Sequence, residues 1–241
     1  MDTGFWSACL QLVERSGSRT TAEEMMMEPL LTDQAVFDRA LDDLLALDPR
    51  LVPLVELAGR PTLRQRPPGF AGLAAVVVAQ QLSVASARAI HGRLEATLGG
   101  APSVEAMLAA TPQALRAVGL SAPKIRTLTG IARALADGAV DLDAVARMTA
   151  DAAAETLTRL PGIGLWTADI YLLFCLGRAD AFPHGDLALQ VALGEAFDLP
   201  GRATPQGLRA VAEDWRPLRG VAAHLLWAYY GARRTRQGAP A

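Results

Sequence analysis

Residues 160–169, read L-P-G-I-G-L-W-T-A-D, hold the residue types best suited to grip an anion. Gly162 and Gly164 permit backbone conformations closed to other residues and let a second backbone approach without a Cβ in the way. A tight turn that feeds a helix N-terminus points several free N–H groups outward. Those donors, with the helix dipole behind them, suit a phosphate. A bare Gly-x-Gly also serves a plain turn between two helices, so the full Leu-Pro-Gly-x-Gly setting carries the reading. Downstream, Asp186 follows Gly185 at the start of another predicted helix. A carboxylate is favoured at such a point and can act as an ordinary N-cap, as a reactive group, or as both. His184 in the same loop can reach a phosphate or cap a helix, and is not expected to act as a base. His91 and His224 read as ordinary helix residues.

The elements that must position these residues are helices. After Pro29 the apolar spacing follows i, i+3, i+4, i+7 almost throughout,. Asp33 is placed to cap a helix that ends at Asp48-Pro49, and a short helix follows over residues 51–57. Residues 60–69 are Pro-rich and polar and read as a loop. Residues 70–81 are nearly all apolar and predict a buried helix. Ser83 opens a helix to Leu98, stopped by Gly99-Gly100. Ser103 and Thr111-Pro112 open short helices. Ser121 opens a longer one, closed by Asp137-Gly138. Asp151 is expected to cap a helix to Leu160, and another spans 165–176. Residues 180–186 form a loop, and helices follow over 187–197, 205–214 and 218–233. No stretch alternates with period two, so the fold class is all-α.

The chain has 241 residues and is 51% hydrophobic, enough for one large domain or two small lobes with a true core. The formal net charge of −2 excludes a uniformly basic nucleic-acid binder but leaves room for a local phosphate-binding patch. After residue 201 stand Arg202, Arg209, Arg216, Arg219, Arg233, Arg234 and Arg236 against Glu213 and Asp214. They form either such a patch or a solvated helix face with a basic tail. Cys9 and Cys175 are the only cysteines, which leaves no disulfide framework and no metal-ligand spacing. A cytoplasmic location is expected, on the nucleoid in a bacterium. No apolar run approaches the roughly 20 residues that span a bilayer. Residues 1–30 read as a poorly ordered leader without a secretion signal, residues 31–233 as the core and residues 234–241 as a mobile tail.

Residues 160–164 resemble the hairpin of the helix-hairpin-helix/Gly-Pro-Asp DNA glycosylases, and F-P-H-G-D-L-A-L (182–189) resembles that family's loop ending in an aspartate. V-A-Q-Q-L-S (78–83), G-L-S-A-P-K (119–124) and W-R-P-L-R-G-V-A-A-H-L-L-W (215–227) also match in the family's order, so the resemblance runs from about residue 35 to residue 233. The chain is most similar to the 3-methyladenine DNA glycosylase II branch. The resemblance implies two helical lobes, a helix-hairpin-helix DNA-binding motif and an active-site cleft between the lobes. The helical core starts directly, so the compact form without an added N-terminal α/β lobe is expected.

The activity so implied is that of a monomeric, monofunctional glycosylase of base excision repair. It hydrolyses the N-glycosidic bond of alkylated purines (3-methyladenine, 7-methylguanine class) in duplex DNA and has no membrane partner. Asp186 becomes the catalytic carboxylate. Bond cleavage builds positive charge on the sugar, and a fixed carboxylate beside C1′ stabilises it and can position water. Bifunctional relatives carry a Schiff-base lysine where this chain has Trp166. The single lysine, Lys124, lies in an earlier segment where the resemblance places it near DNA. No lyase chemistry is therefore expected. The four-cysteine iron–sulfur loop of another branch is absent, and no cofactor is required. The family's hairpin commonly holds a monovalent cation on backbone carbonyls, here those of residues 160–163.

Excision needs an everted base between aromatic faces. Trp166 and Trp227 are the candidates, Trp227 matching the tryptophan that stacks on the alkylated base. Both also fit ordinary core positions, and Phe174, Tyr229 and Tyr230 read as core or surface. Gln81 aligns with the intercalating position and Leu82 is its neighbour. Either is the wedge, unless Gln80 and Gln81 simply finish a helix. Gly162, Ile163, Gly164, Gln81, Leu82 and Lys124 thus form the expected DNA-binding set. Two rival readings stay open: a glycosylase for oxidised or mismatched bases on the same fold, and a non-catalytic DNA-binding module.

Overall fold

A computed structural model describes residues 29–237. Residues 1–28 of the expected leader and residues 238–241 of the expected tail lie outside them. Thirteen α-helices and two 3-10 turns make up the described chain, with no strand beyond one isolated bridge between Leu30 and Arg178. Leu31 N–H donates to Gly177 O at 2.7 Å. The chain is therefore tied down from its first described residues.

The helices fall into two groups that pack mainly among themselves. One lobe holds the chain's middle: α3 (Gly69–Ala79), α4 (Val84–Leu98), α5 (Val104–Ala109), α6 (Pro112–Ala117), α7 (Ala122–Ala136), α8 (Leu142–Val145), α9 (Ala150–Leu157) and α10 (Leu165–Cys175). The other joins α1 (Gln34–Leu47) and α2 (Val52–Ala58) to α11 (Leu187–Ala196), α12 (Pro205–Ala212) and α13 (Arg219–Gln237).

Two nearly all-apolar helices, α3 and α10, lie against each other at the centre of the first lobe. Gly72 makes that approach possible, because a Cβ there would meet the Pro67 carbonyl and sit 2.8 Å from Cys175 Sγ. Burying Leu73, Val76, Val77, Leu172 and Leu173 contributes about 1.5–3 kcal/mol per side chain, upper values that set the scale of the core. In the second lobe α13 packs on α1, α2 and α11. Trp215 is fully buried beside it, its indole N–H donating to Asp48 Oδ2 at 2.8 Å.

Several predicted boundaries shift. Helix α3 stops at Ala79 rather than residue 81, because Gln80 leaves helical geometry and Gln81 turns to φ 55°. Thr149, not Asp151, caps α9, its hydroxyl accepting from Ala152 N–H. That helix ends at Leu157, and the four-residue α8 capped by Asp141 precedes it. Helix α13 runs on through Gln237, past the expected end at Arg233. Arg233 and Arg234 pair with Glu195, and Arg234 lies over the Tyr230 ring.

Candidate active site

Helix α10, the loop before α11 and helix α13 each send one side chain to a common point. Asp186 is the N-cap of α11, and its Oδ1 accepts from Ala188 N–H at 2.9 Å and Leu189 N–H at 3.1 Å. Trp166, on the first turn of α10, donates its indole N–H to Asp186 Oδ2 at 2.9 Å. Trp227 of α13 donates its own to Oδ1 at 3.2 Å. The N-cap role and the reactive role expected of Asp186 are thus compatible: capping and the two indoles fix one carboxylate in one orientation. Three donors crowd Oδ1 and one reaches Oδ2. Oδ2 is left as the freer acceptor.

This carboxylate lines a cleft of about 370 Å³ with Trp166, Ile170, Phe174, Trp227 and the loop residues Arg64 and Arg66, within the size range of small-molecule sites. Phe174 stacks on Trp227 with ring centroids 5.5 Å apart. It belongs to the cleft, which corrects its reading as core or surface. His224 backs both rings edge-on, its Nδ1 2.9 Å from Gly220 O. Burial pushes that imidazole down to about 4, so it packs as a neutral ring.

The hairpin stands at the N-terminus of α10. Gly162 has φ 76°, and a Cβ on it would collide with the side chain of Thr127 on α7, so glycine is required twice over. Gly164 differs from expectation: its φ is −90° and a Cβ there would meet nothing within 4 Å. Its openness, not its conformational freedom, is what it offers. As the N-cap of α10 it makes no side-chain cap, so the helix's first amides stay free,. Ile163 turns inward and is 5% exposed. It anchors the turn by packing and offers its backbone only.

The turn that ends α3 is joined to the same wall. Gln80 Nε2 donates to Thr167 Oγ1 of α10 at 2.8 Å, and Ala79 lines the cleft. Gln81, in the left-handed region, and Leu82 point outward and are exposed. Lys124 does not stand free for a phosphate. Its ammonium donates to the carbonyls of Val78 at 2.7 Å and Gln80 at 2.8 Å, because the end of α3 leaves carbonyls without helical partners. Of the C-terminal arginines, Arg216 and Arg219 are engaged, holding Asp180 and Glu213.

The sequence profile of "HhH-GPD superfamily base excision DNA repair protein" matches residues 74–217, which contain both the hairpin and Asp186. The chain belongs to this superfamily. A Schizosaccharomyces pombe protein, DNA-3-methyladenine glycosylase 1, is 32% identical over 188 residues, 75% of this chain and 82% of that one. The crystal structure of a Bacillus halodurans DNA-3-methyladenine glycosidase superposes with a TM-score of 0.72 at 30% identity, covering 87% of this chain and 95% of that one. The Schizosaccharomyces pombe 3-methyladenine DNA glycosylase Mag1, in complex with abasic DNA, gives 0.71 at 31% identity over 78% and 95%.

In this HhH-GPD chain, the expected residues Asp186, Trp166 and Trp227 converge, and the hairpin and the Gln81 turn flank them. Sequence reasoning missed Arg64 and Arg66, which lie in a stretch read only as loop and face the cleft without an ion-pair partner among the described residues. Their signal was two arginines between prolines. It missed Thr127 as well, whose packing on Gly162 has no local signature.

Proposed function

We propose that the chain is a monofunctional DNA glycosylase that hydrolyses the N-glycosidic bond of alkylated purines in duplex DNA. The observation that carries this reading is the Asp186 carboxylate, pinned by two indole N–H groups in an aromatic cleft that no lysine lines. The HhH-GPD membership and the relatives named for 3-methyladenine excision support it.

In this reading the free amides of the hairpin and the start of α10 take a phosphate oxygen, with the helix dipole behind them. Gln81 or Leu82 fills the gap left by the everted nucleotide, and Lys124 acts as a positioning residue for that turn. Trp227, backed by Phe174, offers a ring face to the base. A cationic base gains on the order of 1–2 kcal/mol there when desolvated, which favours alkylated over normal purines. Positive charge that grows on the sugar as the bond breaks is stabilised by Asp186, and Oδ2 can hold the attacking water. Among the described residues no backbone N–H donates to the carbonyls of Pro161 and Gly162. They and their neighbours in residues 160–163 fit a monovalent cation.

The test is Asp186→Asn, which keeps a capping side chain. Single-turnover base release should fall on the order of 10²–10³-fold while DNA affinity holds. Release at the parental rate would refute the mechanism.

A further inference from the structure

Behind the catalytic wall lies a second cavity of about 350 Å³. Helix α10 divides the two spaces: Trp166, Ile170 and Phe174 face the cleft, and Leu165 and Asp169, one turn apart, face the rear cavity. The loop before α11 does the same, sending Asp186 forward and Asp180 and His184 back.

Asp169 is 7% exposed. It lines this cavity, and its carboxyl has no hydrogen-bond or ion-pair partner among the described residues. A mostly buried carboxyl without a protein donor is costly, and its oxygens open onto the cavity, where a partner from outside can reach them,. Arg209 lines the cavity without a hydrogen bond or ion pair to Asp169 among the described residues, and the buried Arg219 is committed elsewhere. Arg219 places Nε and Nη2 on Asp180 and Nη1 on Glu213, and Arg216 bonds the same two acids. Of the charged lining residues, four are acidic (Asp151, Glu155, Asp169, Asp180) and two are arginines, Arg209 and Arg219. With the buried arginine saturated, an anion finds little here. Among the described residues no three His, Cys, Asp or Glu groups could hold a metal ion. A ligand that brings its own donors and a positive charge is what the site lacks, and a guanidinium fork matches a free carboxylate edge.

We propose that this rear cavity binds an organic cation bearing a guanidinium or primary ammonium group, seated on Asp169. The ligand is either a free small molecule or a side chain of a partner protein. The site does not depend on the glycosylase reading.

Burial pushes the Asp169 carboxyl up to about 7, with Arg219 opposing the shift, Asp151 adding to it and Arg209 opposing it. The other groups facing it are settled: Asp180 is ion-paired, His184 is pushed down by burial, and Glu155 pairs with Arg159 at 3.5 Å. Binding of a cation must then expel a proton from the protonated fraction of Asp169, a fraction that grows as pH falls below about 7,.

Two probes separate the sources, agmatine for a free small cation and a capped Gly-Arg-Gly peptide for a protein side chain. Calorimetry on the full chain should show saturable binding of at least one. Proton release should appear in buffers of different ionisation enthalpy, and affinity should rise about tenfold from pH 6 to pH 8. The indole N–H signals of Trp166 and Trp227 should stay in place, which sets this site apart from the cleft. Asp169→Asn, with its fold verified by circular dichroism, should abolish binding. Absence of saturable binding by both probes, a pH-independent affinity in the unaltered chain, movement of the indole signals, or undiminished binding by Asp169→Asn would each overturn the proposal.

Discussion

Asp186 and Asp169 stand on two sides of one wall, and their surroundings are opposite. Asp186 is half-exposed and takes four hydrogen bonds, two from backbone amides and two from indoles. Asp169 is buried and takes none among the described residues, and burial lifts it to about 7. Side-chain type is the same in both, so neighbours alone decide what each carboxyl can do. Preorganised donors make the front one a fixed electrostatic group. Their lack makes the rear one a proton holder near neutrality.

The contrast predicts that donors matter in front and nowhere else. Trp166→Phe or Trp227→Phe keeps a ring and deletes an N–H to Asp186. Loss of a hydrogen bond to a carboxylate should slow base excision roughly 10- to 100-fold, given about 1.5–3 kcal/mol for such bonds. Asp169→Asn should leave single-turnover excision within about twofold, since Asp169 touches no cleft residue's donor. An equal loss in both would dissolve the distinction.

Stability should show the reverse order. The unfolded Asp169 carboxyl loses its proton near 3.8 and the folded one near about 7. Between those values the folded chain holds the extra proton, and stability falls as pH rises. Asp169→Asn removes that fall. Denaturant titration at pH 8 should find the variant more stable by on the order of 2 kcal/mol, about half the full linkage, because the amide keeps its own desolvation cost. At pH 4, where the carboxyl is neutral and the amide's cost remains, the order should reverse by a similar amount.

A smaller contrast sits at the base of the wall. Gly162→Ala meets both a left-handed backbone and Thr127, and should cost about 1–2 kcal/mol in denaturant unfolding. Gly164→Ala, with open space around it, should stay within about 0.5 kcal/mol. Lys124→Met strips the partner from two carbonyls at the end of α3 and should cost about 1 kcal/mol, read by the same titration.

Much of this arrangement was legible from residue types. Asp33 and Asp48-Pro49 bracket α1 as expected, and the glycine turn, Asp186 and both tryptophans lie where the motifs put them. What was not legible depends on contacts distant in the chain. Thr149 and Asp151 are both sound cap residues, and only the folded turn chooses Thr149. Lys124 bonds carbonyls 46 and 44 residues away, which no side-chain pattern announces. Arg64 and Arg66 lie in an irregular loop, where periodicity says nothing about facing. Asp169 is in plain view within L-W-T-A-D, yet the buried guanidinium beside it, Arg219, is spent on Asp180 and Glu213.

What leaves the DNA tests the role of Asp186 most directly. The full chain incubated with methylated duplex DNA should release free alkylated purines, identified by mass spectrometry, and leave abasic sites whose strand breaks only on added alkali. Failure to release any base, or strand cleavage by the protein itself, would contradict a monofunctional glycosylase built on Asp186.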